Sequence, residues 1–465
     1  MHTVTRARCV SGTGPTMNPA SIWTTCFLVL GLAVGPDSRL RAADAVSFAR
    51  QIAPLFARRC LVCHSARVAK GRVDLENYAA VLRGGADGKT VVPGNAEDSP
   101  LYLALQDGSM PQEADPLSAA ELALVRAWID DGAPLDAGID PEDSLWNISP
   151  RQPQPTPPEK YPFPVPISGL AFSPDGKLLA SSGYHEVLLW DTRSGRLVRR
   201  IAQVAQRTFA IDFSRDGKTL AVASGTPGRA GEAQLFAVSS GALLRSYLTT
   251  QGALFVVRFS PDGKRLATAG KDRVIRVCNV ADGKLLLRMP DHHKQVLDLA
   301  WSPDGALLAS AGHDKNAKVF DLHRGQQIAT YNKSAESQFT GLIYGITFTP
   351  DGKRVVSCGN DNKIRIWQAA DAKLVRRIDS HQGTVFRVVA TGDGKLFSCS
   401  ADKTVRVHAL ESGELLHTFS DHSEWVYSVA VHSDSNLFAS GSFDGEIRIR
   451  SISEGRLLRA FVGVP

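Results

Sequence analysis

Ser173-Pro174-Asp175-Gly176 is the stretch that decides the fold of this 465-residue chain, because variants of it recur along the sequence. The later copies lie at Ser214–Gly217, Ser260–Gly263, Ser302–Gly305, Thr349–Gly352 and Thr391–Gly394, with a degenerate copy at His432–Ser435. Successive copies are 41 to 47 residues apart, and a short apolar segment stands on each side of the turn. Aspartate–glycine pairs suit the positive φ of hairpin turns. Four strands per unit of about 42 residues, repeated seven times, predict an all-β seven-bladed propeller over residues 167–465.

The end of the third strand in each unit carries a second repeating feature. Trp190-Asp191 marks it in the first unit, where Leu197–Ile201 supplies the fourth strand, and Trp367 keeps the aromatic ring in the fifth unit. The remaining units place other residues at this position: Phe236, Cys278, Phe320, His408 and Arg450. Across about 300 residues this pattern resembles the WD-repeat family.

The resemblance implies structural roles for several polar residues of the repeats. The histidines that match the loop position of the family are His292, His381 and His422. The aspartates that match its turn position are Asp272, Asp314, Asp361, Asp402 and Asp444. In the family these side chains join a buried His–Ser/Thr–Asp–Trp hydrogen-bond network, so we do not expect them to be catalytic. The last outer strand, Leu457–Phe461, belongs to the C-terminus of the chain, so closure of the ring by an N-terminal strand is not evident.

Cys60-Leu61-Val62-Cys63-His64 is the stretch that points to chemistry. Residues i and i+3 face the same way on one helical turn, so two thiols can reach the two vinyl groups of one haem. The adjacent histidine then supplies the proximal iron ligand. A redox C-x-x-C needs a βαβ context, and a zinc site needs further ligands, whereas residues 46–165 contain no other Cys or His. We therefore expect one covalent haem c on Cys60 and Cys63, with His64 on the iron.

The sixth iron ligand follows by elimination. Met110 is the only methionine between residues 46 and 165, and it lies in a loop between Gly108 and Pro111. A thioether is a common distal ligand in cytochromes c, so we expect Met110 to bind the iron. Lys70, Lys89 or a propeller histidine would be the fallback.

The residues around the motif indicate a small helical domain. Val46, Phe48, Ile52, Leu55 and Phe56 form an apolar stripe before Cys60. Ser118-Ala-Ala-Glu121 is a capping box, and the helix that follows should end at Gly132. The order of helix, haem motif, methionine loop and helix is that of a small all-α class I cytochrome c. Residues 46–145 are therefore read as the haem domain and residues 146–166, with eight prolines between 149 and 166, as a linker that is either a stiff spacer or a surface strap.

More narrowly, this segment resembles the planctomycete-type cytochrome c domain. The matching stretches are Val46-Ser-Phe48, Ile52-Ala-Pro54, Cys60–His64, Val92-Pro-Gly94, Ser99-Pro-Leu101, Met110-Pro111 and Trp128–Ala133. Gln112 stands where a second proline is usual. The resemblance implies haem binding and electron transfer and supplies no substrate. Arg67, Lys70 and Arg72 follow the motif closely enough to pair with a haem propionate, although exposed solubilising residues are the commoner case.

The N-terminus predicts export. Residues 1–45 hold basic residues, the apolar run Ile22–Gly35 and the cleavage-site pattern Ala43-Asp44-Ala45, which together indicate a signal peptide. An uncleaved anchor and a start at Met17 are the alternatives. The mature chain should then be periplasmic or otherwise extracytoplasmic, with no membrane span beyond the signal peptide.

Charge distribution bears on partners. Residues 46–150 carry 9 basic and 15 acidic groups, whereas residues 151–465 carry 40 and 30. The net charge of +6 is too diffuse to indicate nucleic acid. We expect an exported cytochrome that passes single electrons, with the propeller docking a redox partner whose surface is acidic, or packing against the acidic haem domain. A haem-containing sensor or scaffold is the alternative. The propeller shows no nucleophile–base pair in its sequence, so we do not expect an enzyme.

Overall fold

Seven antiparallel sheets preceded by a helical segment make up the computed structural model, which describes residues 45–61, 63–65, 69–112, 114–151, 153–226, 230–331 and 341–463. The predicted signal peptide lies outside these residues except for Ala45. From residue 46 onward the chain forms one unit. Within the described residues, no helix has both the length and the apolar character needed to cross a membrane.

The helical segment contains short helices joined by turns. They are a π-helical turn Phe48–Ile52, α1 (Ala53–Arg59), a 3-10 turn Lys70–Arg72, α2 (Tyr78–Arg83), α3 (Pro100–Gln106), α4 (Ala119–Asp130) and α5 (Leu145–Ile148). The predicted capping box is confirmed, because Ser118 Oγ accepts from the Glu121 N–H and the Glu121 carboxylate accepts from the Ser118 N–H. Helix α4 ends at Asp130, and Gly132 follows with a φ of +95°.

One apolar core holds these helices together. Phe48, Phe56 and Trp128 are fully buried, with ring centroids 5.3 Å apart for Phe48 and Trp128 and 6.1 Å apart for Phe56 and Trp128. The indole N–H of Trp128 donates to Pro134 O at 3.0 Å. The predicted apolar stripe before Cys60 therefore faces this core.

Each blade of the propeller is a four-stranded antiparallel meander whose strands are consecutive in the chain. The first four blades comprise β1 (Leu170–Phe172), β2 (Leu178–Ser182), β3 (Val187–Asp191), β4 (Leu197–Ile201); β5 (Arg207–Phe213), β6 (Thr219–Gly225), β7 (Ala230–Ala237), β8 (Leu243–Gln251); β9 (Leu254–Phe259), β10 (Arg265–Gly270), β11 (Ile275–Asn279), β12 (Leu285–Met289); and β13 (Val296–Trp301), β14 (Leu307–Gly312), β15 (Ala317–Asp321), β16 (Gln326–Tyr331). The last three comprise β17 (Ile343–Phe348), β18 (Arg354–Gly359), β19 (Ile364–Gln368), β20 (Leu374–Ile378); β21 (Val385–Ala390), β22 (Lys395–Ser400), β23 (Val405–Ala409), β24 (Leu415–Phe419); and β25 (Val426–His432), β26 (Leu437–Ser442), β27 (Glu446–Ser451), β28 (Leu457–Val462). The predicted seven-bladed propeller is confirmed.

The repeated turn closes the first hairpin of each blade through local hydrogen bonds. Ser173 Oγ donates to Asp175 at 2.7 Å, the same carboxylate accepts from the Lys177 N–H, and Gly176 has a φ of +68°. In the degenerate seventh copy a 3-10 turn replaces this arrangement, and Asn436 takes the positive φ in place of glycine. Hydroxyl, carboxylate and glycine thus account for the motif that recurs in the sequence.

The ring closes without exchange of a strand, which answers the question that the sequence left open. Ile167, just before β1, donates its N–H to Ser442 O at 3.1 Å and accepts at its carbonyl from Ser428 Oγ at 2.6 Å. The side chain of Ile167 is fully buried against Gly441, where an added Cβ would lie 2.4 Å from Ile167 Cγ2. The first and last blades also share one apolar cluster, formed by Ile167, Leu179, Leu188, Trp190, Ala439, Ile447 and Ile449. Closure is therefore noncovalent packing of whole blades.

The hydrogen-bond network that the WD-repeat resemblance implies is divided among blades. His292 Nδ1 lies 3.0 Å from Asp314 and His292 Nε2 lies 2.7 Å from Ser310 Oγ, and His381 contacts Asp402 and Ser398 in the same way. Burial alone would raise the pKa of Asp314, but hydrogen bonds from His292 and from the backbone hold it at about 2.

The first and fifth blades, which have tryptophan in the third strand, form a tryptophan–serine hydrogen bond. Trp190 and Trp367 each donate an indole N–H at 2.8 Å, to Ser181 and to Ser357.

His422 departs from this expectation. His422 Nε2 contacts Ser440 Oγ at 2.7 Å, whereas His422 Nδ1 has no hydrogen-bond partner among the described residues. The reason is that Asp444 accepts from the hydroxyls of Ser442 and Ser423 instead. The remaining turn aspartates pair with arginines, Asp272 with Arg276 at 2.5 Å and Asp361 with Arg365 at 2.8 Å.

The proline-rich linker lies on the propeller as a strap. Arg151 Nε donates to the buried Glu232 carboxylate of β7 at 3.0 Å, and Arg200 of β4 donates to Pro158 O at 2.6 Å. The Tyr161 hydroxyl donates to Tyr184 O at 2.8 Å. Helix α5, which reaches into the predicted linker, packs against α1 on one side and β8 on the other. Of the two alternatives for the linker, the strap is the one observed.

Candidate haem site

The C-x-x-C-H motif closes one turn at the end of α1. The Cys60 N–H donates to Phe56 O at 2.8 Å, and the Cys63 and His64 N–H groups both donate to Cys60 O, at 3.1 and 2.9 Å. The two thiols are free. This backbone is the helical turn that the spacing predicts, although Val62 lies outside the described residues.

The imidazole of His64 is oriented by a backbone carbonyl. His64 Nδ1 lies 3.3 Å from Val73 O, and a carbonyl can only accept, so Nδ1 carries the proton. Two further bonds fold the segment after the motif back onto it, from Lys70 N to Cys63 O at 3.0 Å and from Leu75 N to His64 O at 2.7 Å. In a neutral imidazole this arrangement leaves the lone pair on Nε2, which is the atom that a metal ion would then use.

Both motif cysteines are partly buried, and Cys60 stands at the edge of the apolar core. Cys60 packs against the buried cluster that contains Phe56 and Leu61. Burial raises the pKa of the Cys60 thiol to about 12, although the charge of Arg59 opposes the shift. Neither cysteine forms a disulfide, and the two stand one helical turn apart.

Met110 belongs to a loop whose shape is set locally. The Met110 N–H donates to Ala104 O at 2.9 Å, Gly108 has a φ of +75°, and Asp107 accepts from the Ser109 N–H at 2.8 Å. That hydrogen bond lowers the pKa of Asp107. The Met110 side chain is half-buried and packs against the same apolar cluster as Cys60. The structure thus brings the predicted distal ligand and the first attachment cysteine to one core.

The fallback ligands have less favourable positions. Lys70 and Lys89 are exposed. Of the arginines considered as partners of a haem propionate, Arg72 is exposed and Arg67 lies outside the described residues. The propeller histidines His292, His381 and His422 are buried and contact serine hydroxyls of their own blades. Within the described part of the chain, no group of three or more His, Cys, Asp or Glu side chains could hold a metal ion.

The residues present fit a haem. Two thiols stand at i and i+3, a histidine follows directly with its Nδ1 on a backbone carbonyl, and Cys60 and the Met110 thioether pack against one apolar cluster. Sequence reasoning found each of these side chains but missed Val73, because any residue type can supply a backbone carbonyl. The three propeller cysteines, Cys278, Cys358 and Cys399, are buried, and burial raises the pKa of each.

Comparison with protein families separates the same two parts. The family described as Planctomycete cytochrome C matches residues 60–113, a span that starts at Cys60 and includes Met110. The chain joins a planctomycete-type cytochrome c domain to a WD-repeat propeller. The family described as WD domain, G-beta repeat, matches residues 161–191, 242–279, 283–321, 325–368, 372–408 and 413–451. Strands β5 to β7 of the second blade fall between the first two matches, so the structure shows seven blades where the family match gives six.

A relative supports the propeller part. An uncharacterised WD repeat-containing protein of Synechocystis is 39% identical over 59 residues, which cover 12% of this chain and 17% of the relative. Since the match spans under a fifth of the length of that relative, it bears on the repeats alone.

Proposed function

We propose that this protein is an exported c-type cytochrome that carries one covalent haem c and passes single electrons. The observation that carries the proposal is the position of His64, which ends a C-x-x-C-H turn with its Nδ1 proton on Val73 O and Nε2 available. Cys60 and Cys63 would attach the haem, and His64 and Met110 would hold its iron. The match of residues 60–113 to planctomycete cytochrome c supports this assignment.

Each of these residues has a definable task. The bound haem would supply a one-electron couple. The Val73 carbonyl orients the imidazole of His64 and increases the basicity of its Nε2. Met110, held by its N–H bond to Ala104 O, would fill the distal position and raise the potential relative to a second histidine. The apolar cluster beneath them excludes water. If His64 and Met110 both bound the iron, the site would favour electron transfer over chemistry that needs an open iron.

The short helices before and after the motif are consistent with a class I-like cytochrome fold, and we extend the proposal to that fold. The propeller would then be the scaffold that docks a redox partner. Residues 151–465 carry 40 basic and 30 acidic groups, and this excess of positive charge supports an acidic partner surface.

The first experiment tests attachment. The full chain is exported from a host with haem-attachment machinery, separated on a denaturing gel and stained for haem. We expect a stained band that Cys60→Ser together with Cys63→Ser removes. N-terminal sequencing of the same band should place the mature start directly after Ala45. An unstained wild-type band would contradict the haem proposal.

The second experiment tests the ligand and the choice between carrier and sensor. Met110→Leu should remove the ferric Met–iron charge-transfer band, whereas Met289→Leu, a buried methionine of β12, should leave it unchanged. The wild type should bind added CO and imidazole slowly and weakly, because the thioether must leave first. Rapid binding by the wild type, or an unchanged spectrum in Met110→Leu, would favour the sensor alternative.

A further inference from the structure

A cleft of about 290 Å³ opens between the fifth and sixth blades, far along the chain from the haem motif. Its lining includes Arg376, Arg377, Asp379, Ser380, His408 and Gly413. We call this group the His408 cleft. It brings the end of β20 together with β23 and the turn between β23 and β24.

His408 is the unusual residue of this cleft. It occupies the position that Trp190 and Trp367 hold in their blades, each paired through the indole N–H with a serine. In the sixth blade the corresponding Ser398 contacts His381 instead, at 2.8 Å. His408 is fully buried, and neither of its ring nitrogens has a hydrogen-bond partner among the described residues. Buried polar groups are normally satisfied, so an unsatisfied imidazole that lines a cleft calls for a ligand.

Ser380 has the same property. Its Oγ is buried without a hydrogen-bond partner in the described part of the chain, while its carbonyl accepts from the Arg406 guanidinium. Two residues of the lining, one from β23 and one from the segment after β20, thus each carry a buried polar group without a hydrogen-bond partner among the described residues.

The charges around the cleft favour a negative occupant. Arg376 and Arg377 flank it, and Asp379 is the one acidic group in the lining, already 2.8 Å from Arg377 Nε. Arg406 approaches from β23. Burial, and then the nearby charges of His381 and Arg406, lower the pKa of His408 to about 4. His408 is therefore neutral at pH 7 and offers one N–H donor and one acceptor.

We propose that the His408 cleft binds a small oxyanion, either an organic carboxylate or inorganic phosphate. The His408 N–H and the Ser380 O–H would donate to its oxygens, and the guanidinium group of Arg376 would balance its charge, since Arg377 already pairs with Asp379. Hydrogen bonds from ionic and neutral donors to one oxyanion are the arrangement that proteins use for such ligands. This site is separate from the haem and does not depend on the proposed electron transfer.

The test uses calorimetric titration of the full, haem-loaded chain with succinate in one arm and inorganic phosphate in the other. We expect saturable one-site binding of at least one anion, and the arm that saturates identifies the source of the oxyanion. His408→Trp gives the sixth blade the tryptophan that the first and fifth blades have at this position, so the variant should fold. The larger side chain should fill the cleft and abolish anion binding. Ser380→Ala should weaken binding about tenfold.

Two controls make the result decisive. His323→Trp introduces the same side chain at an exposed turn of the fourth blade and should bind as the wild type does. Circular dichroism establishes that each variant is folded, and if His408→Trp fails to fold, Ser380→Ala decides. A wild type that takes up neither anion more tightly than His408→Trp, or binding that neither cleft variant alters, would overturn the proposal and leave the cleft as a hydrated gap.

Discussion

Adding one methyl group at Gly441 should weaken the closure of the ring. An alanine Cβ at this position would lie 2.4 Å from Ile167 Cγ2 and 2.9 Å from Ser428 Oγ, closer than any relaxed contact. Overpacking of this kind destabilises a core by about 1–3 kcal/mol. Ile167→Ala should itself cost about 2–5 kcal/mol, because the side chain is fully buried. Ile167→Ala removes the Cγ2 atom but keeps Cβ, which would still lie 2.6 Å from the new methyl, so it relieves only part of the clash. The two changes together should therefore cost less than their sum by about 1 kcal/mol.

The assay is chemical denaturation of the full chain, with hydrogen exchange to locate the effect. Gly441→Ala and Ile167→Ala should both lower amide protection in β1 and β25, the strands that meet at the closure. Gly392→Ala is the control for Gly441→Ala, since an added Cβ there meets nothing within 4 Å. Ile343→Ala, at the start of the inner strand of the fifth blade, is the control for Ile167→Ala, because it removes the same side chain away from the closure. A double variant whose loss equals the sum of the single losses within about 0.5 kcal/mol would refute the claim that Ile167 and Gly441 close the ring through direct contact.

Three further predictions concern acidity, a helix cap and the linker. Burial lowers the pKa of His408 and of His422 to about 4. Between pH 6.5 and 4 the unfolded chain therefore binds more protons than the folded chain. Urea titrations should show that the free energy of unfolding falls by about 3 kcal/mol per histidine as the pH falls through that window. His408→Trp should remove one of these two losses, and an unchanged pH profile would contradict this reasoning. Ser118→Ala should cost the helical segment about 1 kcal/mol in thermal unfolding, with no change if the cap is not formed in solution. Arg151→Ala should leave the buried Glu232 carboxylate without its cation and raise the pKa of Glu232 further. The linker of the variant should then be cleaved faster by a protease than the linker of the wild type. Equal cleavage rates would show that the strap does not depend on this ion pair.

The features that sequence predicted are those whose causes lie within a few residues. Ser173, Asp175 and Gly176 build their turn from one another, so the same letters reappear wherever the turn is needed. The haem motif is equally local, since one helical turn carries Cys60 to His64. Such patterns can be recognised in the sequence because they do not depend on residues far along the chain.

The features that sequence missed depend on partners far along the chain. Ile167 closes the ring against residues more than 260 positions away, and nothing in its neighbourhood distinguishes it from other strand-leading apolar residues. Val73 acts through its backbone. The sequence shows that His408 stands at a tryptophan position. It does not show the unpartnered ring nitrogens or the cleft, because these depend on Ser398, which bonds to His381, and on β20, which lines the cleft.

Because each sheet uses four consecutive strands, the ring could begin at any of its blades. Joining residue 463 to residue 167 by a short peptide and opening the chain between any other pair of blades would preserve every sheet and every hydrogen bond within it. The Ile167 contacts would become an ordinary interior junction, and the linker would have to be re-attached, since its contacts are with the first two blades. Circular permutants should therefore fold to the same propeller. In evolutionary terms, a ring of this kind can open between any two blades without loss of a sheet.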